Sequence, residues 1–299
     1  MIRRIQRRFV AFTMLVIGSI IGFIILFFSI HATSVITLRR TLIFSLSMLG
    51  MVFLASILLS FLAIRPIRKA WQQQLDFTAD ASHELRTPLA VIRSNLEIVL
   101  ENEEDTVRSQ RKWLEHIQKE VLRMSGLVDD LLTLARADSQ EISLEYTEVP
   151  LDLIIAERVS SFEAVARERQ IQIEQHVEPE LIMMGEVSRL AQLFTILLDN
   201  SVKYMGRAGT ISITAYRESQ KIQILFEDNG IGIPAEETGN VFRRFYRLDK
   251  ARTQNNGGSG LGLAIAQWIV EAHNGKIALK SDNDRGMHYR ITFYLASSR

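Results

Sequence analysis

Four short stretches of this sequence carry residue types whose spacing could do chemistry. The first is Ala81-Ser82-His83-Glu84-Leu85-Arg86-Thr87-Pro88-Leu89. An imidazole, which gains and loses a proton near neutrality, is followed at once by a carboxylate and one helical turn later by a hydroxyl. A lone exposed histidine is ordinarily a solvated surface residue, so the neighbours rather than His83 itself carry the signal. Pro88 interrupts a helical pattern that continues on both sides. An interior proline costs roughly 3 kcal/mol and frees a backbone carbonyl. It reads either as a bend that softens the turn of His83 or as a tolerated kink. The other three stretches lie far downstream. Asp199-Asn200-Ser201-Val202-Lys203-Tyr204 closes a helix, Asp228-Asn229-Gly230-Ile231-Gly232-Ile233-Pro234 follows a strand, and Gly257-Gly258-Ser259-Gly260-Leu261-Gly262-Leu263 opens a helix. Each alone is weak. The last looks like a dinucleotide fingerprint but does not sit in an N-terminal βαβ unit. It reads better as a glycine loop whose backbone donors, backed by a helix N-terminus, receive phosphate oxygens.

The elements that must position these stretches follow from periodicity. Trp71, Leu75, Thr78, Ser82, Leu85, Leu89, Ile92, Leu96 and Val99 alternate spacings of 4 and 3, the pattern of a supercoiled helix. Glu101–Asp105 breaks it as a turn. A second seam runs through Leu114, Ile117, Val121, Met124, Val128, Leu131 and Ala135. Two helices alone leave much of each seam wet, and pairing two hairpins into a four-helix bundle buries both. A homodimer is therefore expected, the alternative being a monomer that packs its seam on the C-terminal domain. His83 lies one residue beyond the seam position Ser82, on the shoulder of the first helix. From about Ser139 the pattern predicts helices at Leu151–Arg169, Glu186–Tyr204 and Gly260–His273. Strands are expected at Gln170–His176, Thr210–Tyr216, Lys221–Glu227, Lys276–Ser281 and His288–Leu295. Helices grouped against a mixed sheet make an α/β sandwich.

Composition divides the chain. Of 299 residues, positions 1–75 hold nine Lys or Arg and no acid, while the rest holds 26 basic and 34 acidic residues. That asymmetry excludes a uniformly basic nucleic-acid binder, and no nucleic-acid partner is expected. The absence of cysteine excludes a disulfide scaffold, a thiolate metal site and a thiol nucleophile. Phe9–Ile30 and Thr41–Ile64 are uncharged runs of 22 and 24 residues. Each exceeds the roughly 20 residues that cross a bilayer as a helix. The sequence thus predicts two transmembrane helices, 9–30 and 41–64, joined by a short outer loop, 31–40, with a bend at Pro66. Arg3, Arg4, Arg7 and Arg8 precede the first run and Arg65, Arg68 and Lys69 follow the second, which places both termini in the cytoplasm of a multi-pass membrane protein. A ten-residue outer loop holds no core, so a stimulus would arrive through membrane lipid or a membrane sensing partner.

Ser82–Leu89 resembles the H-box of bacterial membrane sensor histidine kinases, the ATP-dependent half of two-component systems. The three later stretches, in this order, resemble the N box and the two glycine boxes of the kinase ATP-binding domain, shared in fold with gyrase-type and MutL-type ATPases. The resemblance runs from about Pro66 to the C-terminus. It implies a dimerisation and histidine phosphotransfer domain at 65–138, preceded by the membrane helices of 1–64, and a Bergerat-type α/β ATP-binding domain at 139–299. It further implies ATP-dependent autophosphorylation of His83, then transfer to an aspartate of a response regulator receiver domain. Glu84 would be the base that engages the imidazole, and Thr87 would help position water when the regulator is dephosphorylated. Neutral imidazole has a nucleophilic nitrogen, and a carboxylate on the other nitrogen's proton supports the cation formed on attack. By the same resemblance Asn200 would coordinate Mg²⁺, Lys203 and Tyr204 would contact the nucleotide, and Asp228 would accept from the adenine amino group. Gly230 and Gly232 would pass close to the base, while Gly258, Gly260, Leu261 and Gly262 would line the phosphates. Val241–Arg247 resembles the F-box, with Arg247 placed to steady the γ-phosphate. Leu248–Asn256 would be a lid.

Three positions depart from the family pattern: Ile196 stands for the first Asn of the N box, Arg243 for an acid and Asn274 for a Gly. Two rival readings go with them. A hydrolytic ATPase of the same fold would use Asp199 to activate water, and a non-catalytic ATP-binding scaffold would draw its support from Ile196.

Overall fold

The computed structural model describes residues 17–27, 30, 35–102, 105–139, 144–205, 208–248, 258–281 and 285–295. In the helix beginning at Val35, the side chains of 35–38, 41, 42, 45, 55, 58–64, 66 and 69 also lie outside the description. The chain divides into two units, Met1–Ala79 and Asp80–Arg299.

In the first unit residues 17–27 are helical (α1), and α2 (Val35–Glu101) begins. Much of the expected span 9–30 falls outside the described residues. The run 41–64 lies on α2. Among the described residues no helix is long and apolar enough to cross a membrane. One sequence expectation is corrected: the loop expected at 31–40 is helical from Val35 onward. Pro66 and Pro88 both lie within α2, which continues through them. A proline removes one intrahelical bond and crowds one carbonyl, which a 67-residue helix absorbs without ending.

The second unit opens with a helical hairpin made by the end of α2 and α3 (Val107–Asp138). Thr106 caps α3, its Oγ1 accepting from the Ser109 N–H at 3.3 Å. Gln110 Nε2 reaches back to donate to the Val99 and Asn102 carbonyls at 3.0 and 2.8 Å, satisfying the C-terminal carbonyls of α2 where the chain reverses.

Beyond the hairpin lies a two-layer α/β domain. Its strands are β1 (Thr147–Pro150), β2 (Ile171–Val177), β3 (Ile182–Gly185), β4 (Gly209–Glu218), β5 (Lys221–Asp228), β6 (Gly275–Ser281) and β7 (Met287–Tyr294). Its helices are α4 (Leu151–Glu168), α5 (Val187–Tyr204) and α6 (Gly262–Ala272). Five strands form one sheet in the order β2-β4-β5-β7-β6, with β2 parallel to β4 and the other pairs antiparallel. Strand β5 shows why one face is dry. Ile222, Ile224 and Phe226 alternate inward and are fully buried, and the same face ends in Asp228. Helix α5 covers it with Leu190, Leu193, Phe194, Leu197 and Leu198, an i, i+3, i+4, i+7, i+8 stripe with no exposed surface. Ile155 of α4 and Ile265 and Ile269 of α6 extend the same core.

The sequence reading of this domain matches the elements within two or three residues, with one omission. It misses β1 and β3, which pair antiparallel as a separate ribbon from Thr147↔Gly185 to Pro150↔Ile182. Four-residue strands show no usable alternation, and their pairing joins segments far apart in sequence.

Candidate functional site

Asp228 ends β5 on its buried face and is 7% exposed. Its Oδ1 accepts from the Gly230 N–H at 3.0 Å and the Met287 N–H at 3.2 Å, and its Oδ2 accepts from Ser201 Oγ at 2.5 Å. The carboxylate is therefore fixed from three directions: its own loop, β7 and the N-box helix α5. Two glycines make this geometry possible. Gly286 has φ +75°, and a Cβ there would lie 1.8 Å from the Asp228 carbonyl oxygen. Gly230 leaves room against the Tyr204 carbonyl, to which Ile231 N–H donates at 3.4 Å. Gly232 follows at φ +62°.

The N-box side chains face the second glycine stretch. A Cβ on Gly258 would lie 3.4 Å from the Tyr204 hydroxyl, and one on Gly262 would lie 3.3 Å from Ile196 Cγ2. Ile196 is thus a packing residue against the glycine that starts α6, which accounts for its apolar character. Lys203 Nζ is paired with Asp199 Oδ2 at 2.5 Å. Gly260, with φ +71°, lies against Phe245, itself at φ +59°, and Phe245 N–H donates to the Gly260 carbonyl at 2.9 Å. The F-box stretch and the glycine stretch are clipped together at the two ends of the expected lid, whose residues 249–256 lie outside the described ones. The Leu261 side chain is fully buried, and its N–H is directed to Ser259 Oγ at 3.3 Å. Tyr246 donates to Glu237, which pushes the Tyr246 phenol up to about 12, chiefly through that bond. The departure at Asn274 has a backbone reason. It sits at φ +54°, where glycine is usual and asparagine is the best-tolerated substitute.

His83 is exposed on α2, and its ring has no hydrogen bond among the described residues. Thr87 Oγ1 points back to the His83 carbonyl at 3.5 Å. Glu84 does not meet the imidazole here. It lies 3.8 Å from Arg247 Nη1 instead. The structure therefore brings together the residue expected to hold the γ-phosphate and the carboxylate beside the expected acceptor. A second bridge supports that contact, a fork in which Arg244 donates to both oxygens of Asp138 at 2.6 and 2.8 Å. Leu127 and Leu134 of α3 are buried in the same core as the α/β domain, with Leu85 and Leu131 packed against it. Sequence reasoning held packing of the hairpin on the C-terminal domain as an alternative but did not name Leu127 or Leu134. Leu127 and Leu134 lie off the second seam, and their seven-residue spacing was the signal that could have marked another face. Ser201 was also missed, because a single serine inside a helix carries no signal of its own.

Among the described residues no group of three or more His, Asp or Glu could hold a metal. The Asn200 carboxamide makes no hydrogen bond there, so its oxygen is available as one hard ligand. A lone amide oxygen suits Mg²⁺, which keeps most of its shell as water and phosphate oxygens.

The site thus has two parts: an exposed histidine on a helical hairpin, whose neighbour Glu84 lies 3.8 Å from Arg247, and an α/β domain with a buried carboxylate, Asp228, flanked by glycines. The family models agree with both parts. Residues 73–140 match the His Kinase A (phospho-acceptor) domain, and residues 185–297 match the histidine kinase-, DNA gyrase B- and HSP90-like ATPase family. The chain belongs to the sensor histidine kinases of two-component systems. It is 37% identical over 240 residues to the sensor protein CiaH of Streptococcus pneumoniae, covering 80% of this chain and 53% of that protein. It is 38% identical over 214 residues to the signal transduction histidine-protein kinase BaeS of Escherichia coli, covering 71% and 44%. The chain spans about half the length of the curated relatives it matches. Among solved structures the Acinetobacter baumannii histidine kinase AdeS shares the fold, with a TM-score of 0.59 and 23% identity, covering 72% of this chain and 98% of that one.

Proposed function

We propose that this chain binds ATP in its α/β domain, transfers the γ-phosphoryl group to His83, and passes it to an aspartate on a partner response regulator. The observation that carries this reading is the 3.8 Å approach of Arg247 to Glu84, which supports bringing the F-box arginine, expected at the γ-phosphate, to the turn of His83. In the step itself a His83 ring nitrogen attacks the γ-phosphorus in line, the bond to the β–γ bridging oxygen breaks, and ADP leaves with that electron pair. The proton of the other ring nitrogen moves toward a carboxylate, for which Glu84 is the adjacent candidate once it exchanges Arg247 for the imidazole. Arg247, released to the phosphate, balances the charge that develops on the transferred group. Asn200 would hold Mg²⁺, which neutralises phosphate charge when bound. Lys203 and Tyr204 would meet the nucleotide from α5, Asp228 would take the adenine amino group beside Gly230 and Gly232, and Gly258, Gly260, Leu261 and Gly262 would supply the turn around the phosphates. Thr87, one turn from His83 on the same face, suits the positioning of water in regulator dephosphorylation.

The rest of the proposal concerns assembly. Leu89 and Leu96 on α2, and Val107, Leu114, Val121 and Val128 on α3, stay exposed at seven-residue spacing. Such a stripe supports pairing two hairpins as a four-helix bundle, hence a homodimer. The uncharged runs at 9–30 and 41–64, and the arginines flanking them, support a membrane-anchored chain with 65–138 and 139–299 in the cytoplasm. A lipid-level stimulus or a membrane partner would act through those runs.

The test is labelling of the full chain with γ-labelled ATP and Mg²⁺ beside His83→Gln. Protein-bound label that resists alkali and is lost in acid is expected in the parent and absent from the variant. Equal labelling of both overturns the site assignment, and release of free phosphate without labelled protein favours a hydrolytic ATPase.

A further inference from the structure

Beside Asp228 on the same sheet face lies a second polar group that the proposed chemistry has not used. Tyr289 lies on β7 at 2% exposure, facing the same way as Phe226, its register partner on β5, and therefore diagonal to Asp228 on one sheet face. Its ring meets Phe226 edge-on at 6.2 Å. That packing needs only a phenylalanine. The hydroxyl has no hydrogen-bond partner among the described residues, and it is not one of their fully enclosed unpaired polar atoms, so it stays open to a role beyond packing.

The hydrogen-bond inventory around Asp228 shows what the role is. A 6-aminopurine presents a donor (N6–H) beside an acceptor (N1), and a 6-oxopurine presents the reverse. Asp228 can only accept. Its Oδ1 is occupied by two backbone N–H groups, and its Oδ2 takes the Ser201 hydroxyl at 2.5 Å, with lone-pair capacity left on that oxygen. Ser201 has committed its proton and can offer only acceptance. The donor needed for N1 must come from another group, and the phenol of Tyr289 is the uncommitted hydroxyl on this face. Burial first, then the nearby Asp228 and Tyr204, pushes its pKa up, so the phenol keeps its proton.

We infer that Tyr289 reads the nucleobase of the bound nucleotide: its hydroxyl donates to N1 of a 6-aminopurine while Asp228 accepts from N6–H, with Ser201 holding the carboxylate in register. The pair accepts adenine and opposes guanine or hypoxanthine, which would set an acceptor against the carboxylate and a donor against the phenol. This inference rests on the nucleotide-binding reading above.

The experiment compares affinities of the full chain and of Tyr289→Phe for ADP, for 1-deaza-ADP, which lacks the N1 acceptor, and for IDP. The unsubstituted chain should bind ADP about fivefold more tightly than 1-deaza-ADP, a comparison that needs no substitution. In Tyr289→Phe, ADP should weaken by about fivefold and 1-deaza-ADP by under about twofold, so the two converge and the preference for ADP over IDP narrows. Ser201→Ala should weaken ADP and 1-deaza-ADP equally, since it acts through N6. Equal losses for ADP and 1-deaza-ADP in Tyr289→Phe, or no difference between them in the parent, overturn the inference while leaving nucleotide binding intact. Failure of the parent to bind ADP at all overturns the nucleotide reading, and this inference with it.

Discussion

Asp130 offers the most quantitative test of how the hairpin is held to the α/β domain. It is half-buried on α3, between the docking leucines Leu127 and Leu134. Burial first, and then the charge of neighbouring Asp129, raise its carboxyl from 3.8 to about 6, while Lys203 of the N box pulls the other way. A carboxyl whose folded pKa is raised holds its proton more tightly when docked. Its favourable contribution is complete below pH 3.8 and is lost as pH rises through about 6. At pH 8 the docked state therefore carries an ionised group in a poor place. The interval from 3.8 to about 6, at 1.36 kcal/mol per unit, sets a ceiling of about 3 kcal/mol. Partial exposure leaves about 1–2 kcal/mol of that. Asp130→Asn should recover this amount at pH 8 and nothing at pH 4. For a unit of this size that is a rise of about 2–8 °C in melting temperature. Thermal unfolding of the full chain in detergent, followed by circular dichroism at both pH values, reads it directly. A gain of the same size at pH 4 and pH 8, or no gain at pH 8, would show that burial of this carboxylate does not oppose docking.

Two further outcomes follow from buried groups of the α/β domain. His273 is 3% exposed, with Nδ1 against the Ile269 carbonyl at 2.7 Å and Nε2 accepting from the Glu186 N–H at 3.0 Å. Burial lowers its pKa from 6.5, so the unfolded chain binds more protons and stability should fall as pH drops below about 6.5, a loss that His273→Gln abolishes. Because Asp130 acts with the opposite sign in an overlapping window, the comparison belongs in an Asp130→Asn background, and an unchanged acid slope would refute it. Gly286→Ala should cost at least about 3 kcal/mol, since a Cβ there meets the Asp228 carbonyl and the backbone is left-handed, and it should abolish ADP binding. Tight ADP binding to a folded Gly286→Ala chain would show that the Asp228 loop is not held by this turn.

Much of the candidate site is legible in the sequence because its parts are local. His83, Glu84 and Thr87 share one helical turn, and the three downstream boxes are short contiguous runs whose glycines and polar side chains have few other uses. The core helices and long strands are legible for the same reason, since a period of 3.6 or 2 is written within each segment. The ribbon of β1 and β3 is not, because four residues hold no period and its partner strand is 32 residues away at the nearest pair, Pro150↔Ile182. The hairpin seam divides in a way no one-dimensional pattern reveals: Leu85 turns to the α/β domain while Leu89 and Leu96 stay exposed.

What the amino-acid order determined by itself is the inventory: a histidine beside an acid, a glycine cradle, an acidic pocket residue, two uncharged runs and the elements that carry them. Only the tertiary structure decided who meets whom. Glu84 faces Arg247, 163 positions along the chain, rather than the imidazole next to it, Arg244 grips Asp138, and Ser201 and the Met287 N–H converge on Asp228 from a helix and a strand. The physical reason is that such contacts depend on which faces two elements turn toward each other, and those faces are selected by burying Leu127, Leu134 and the sheet's inner residues together, a sum over the whole core that no single stretch of sequence contains.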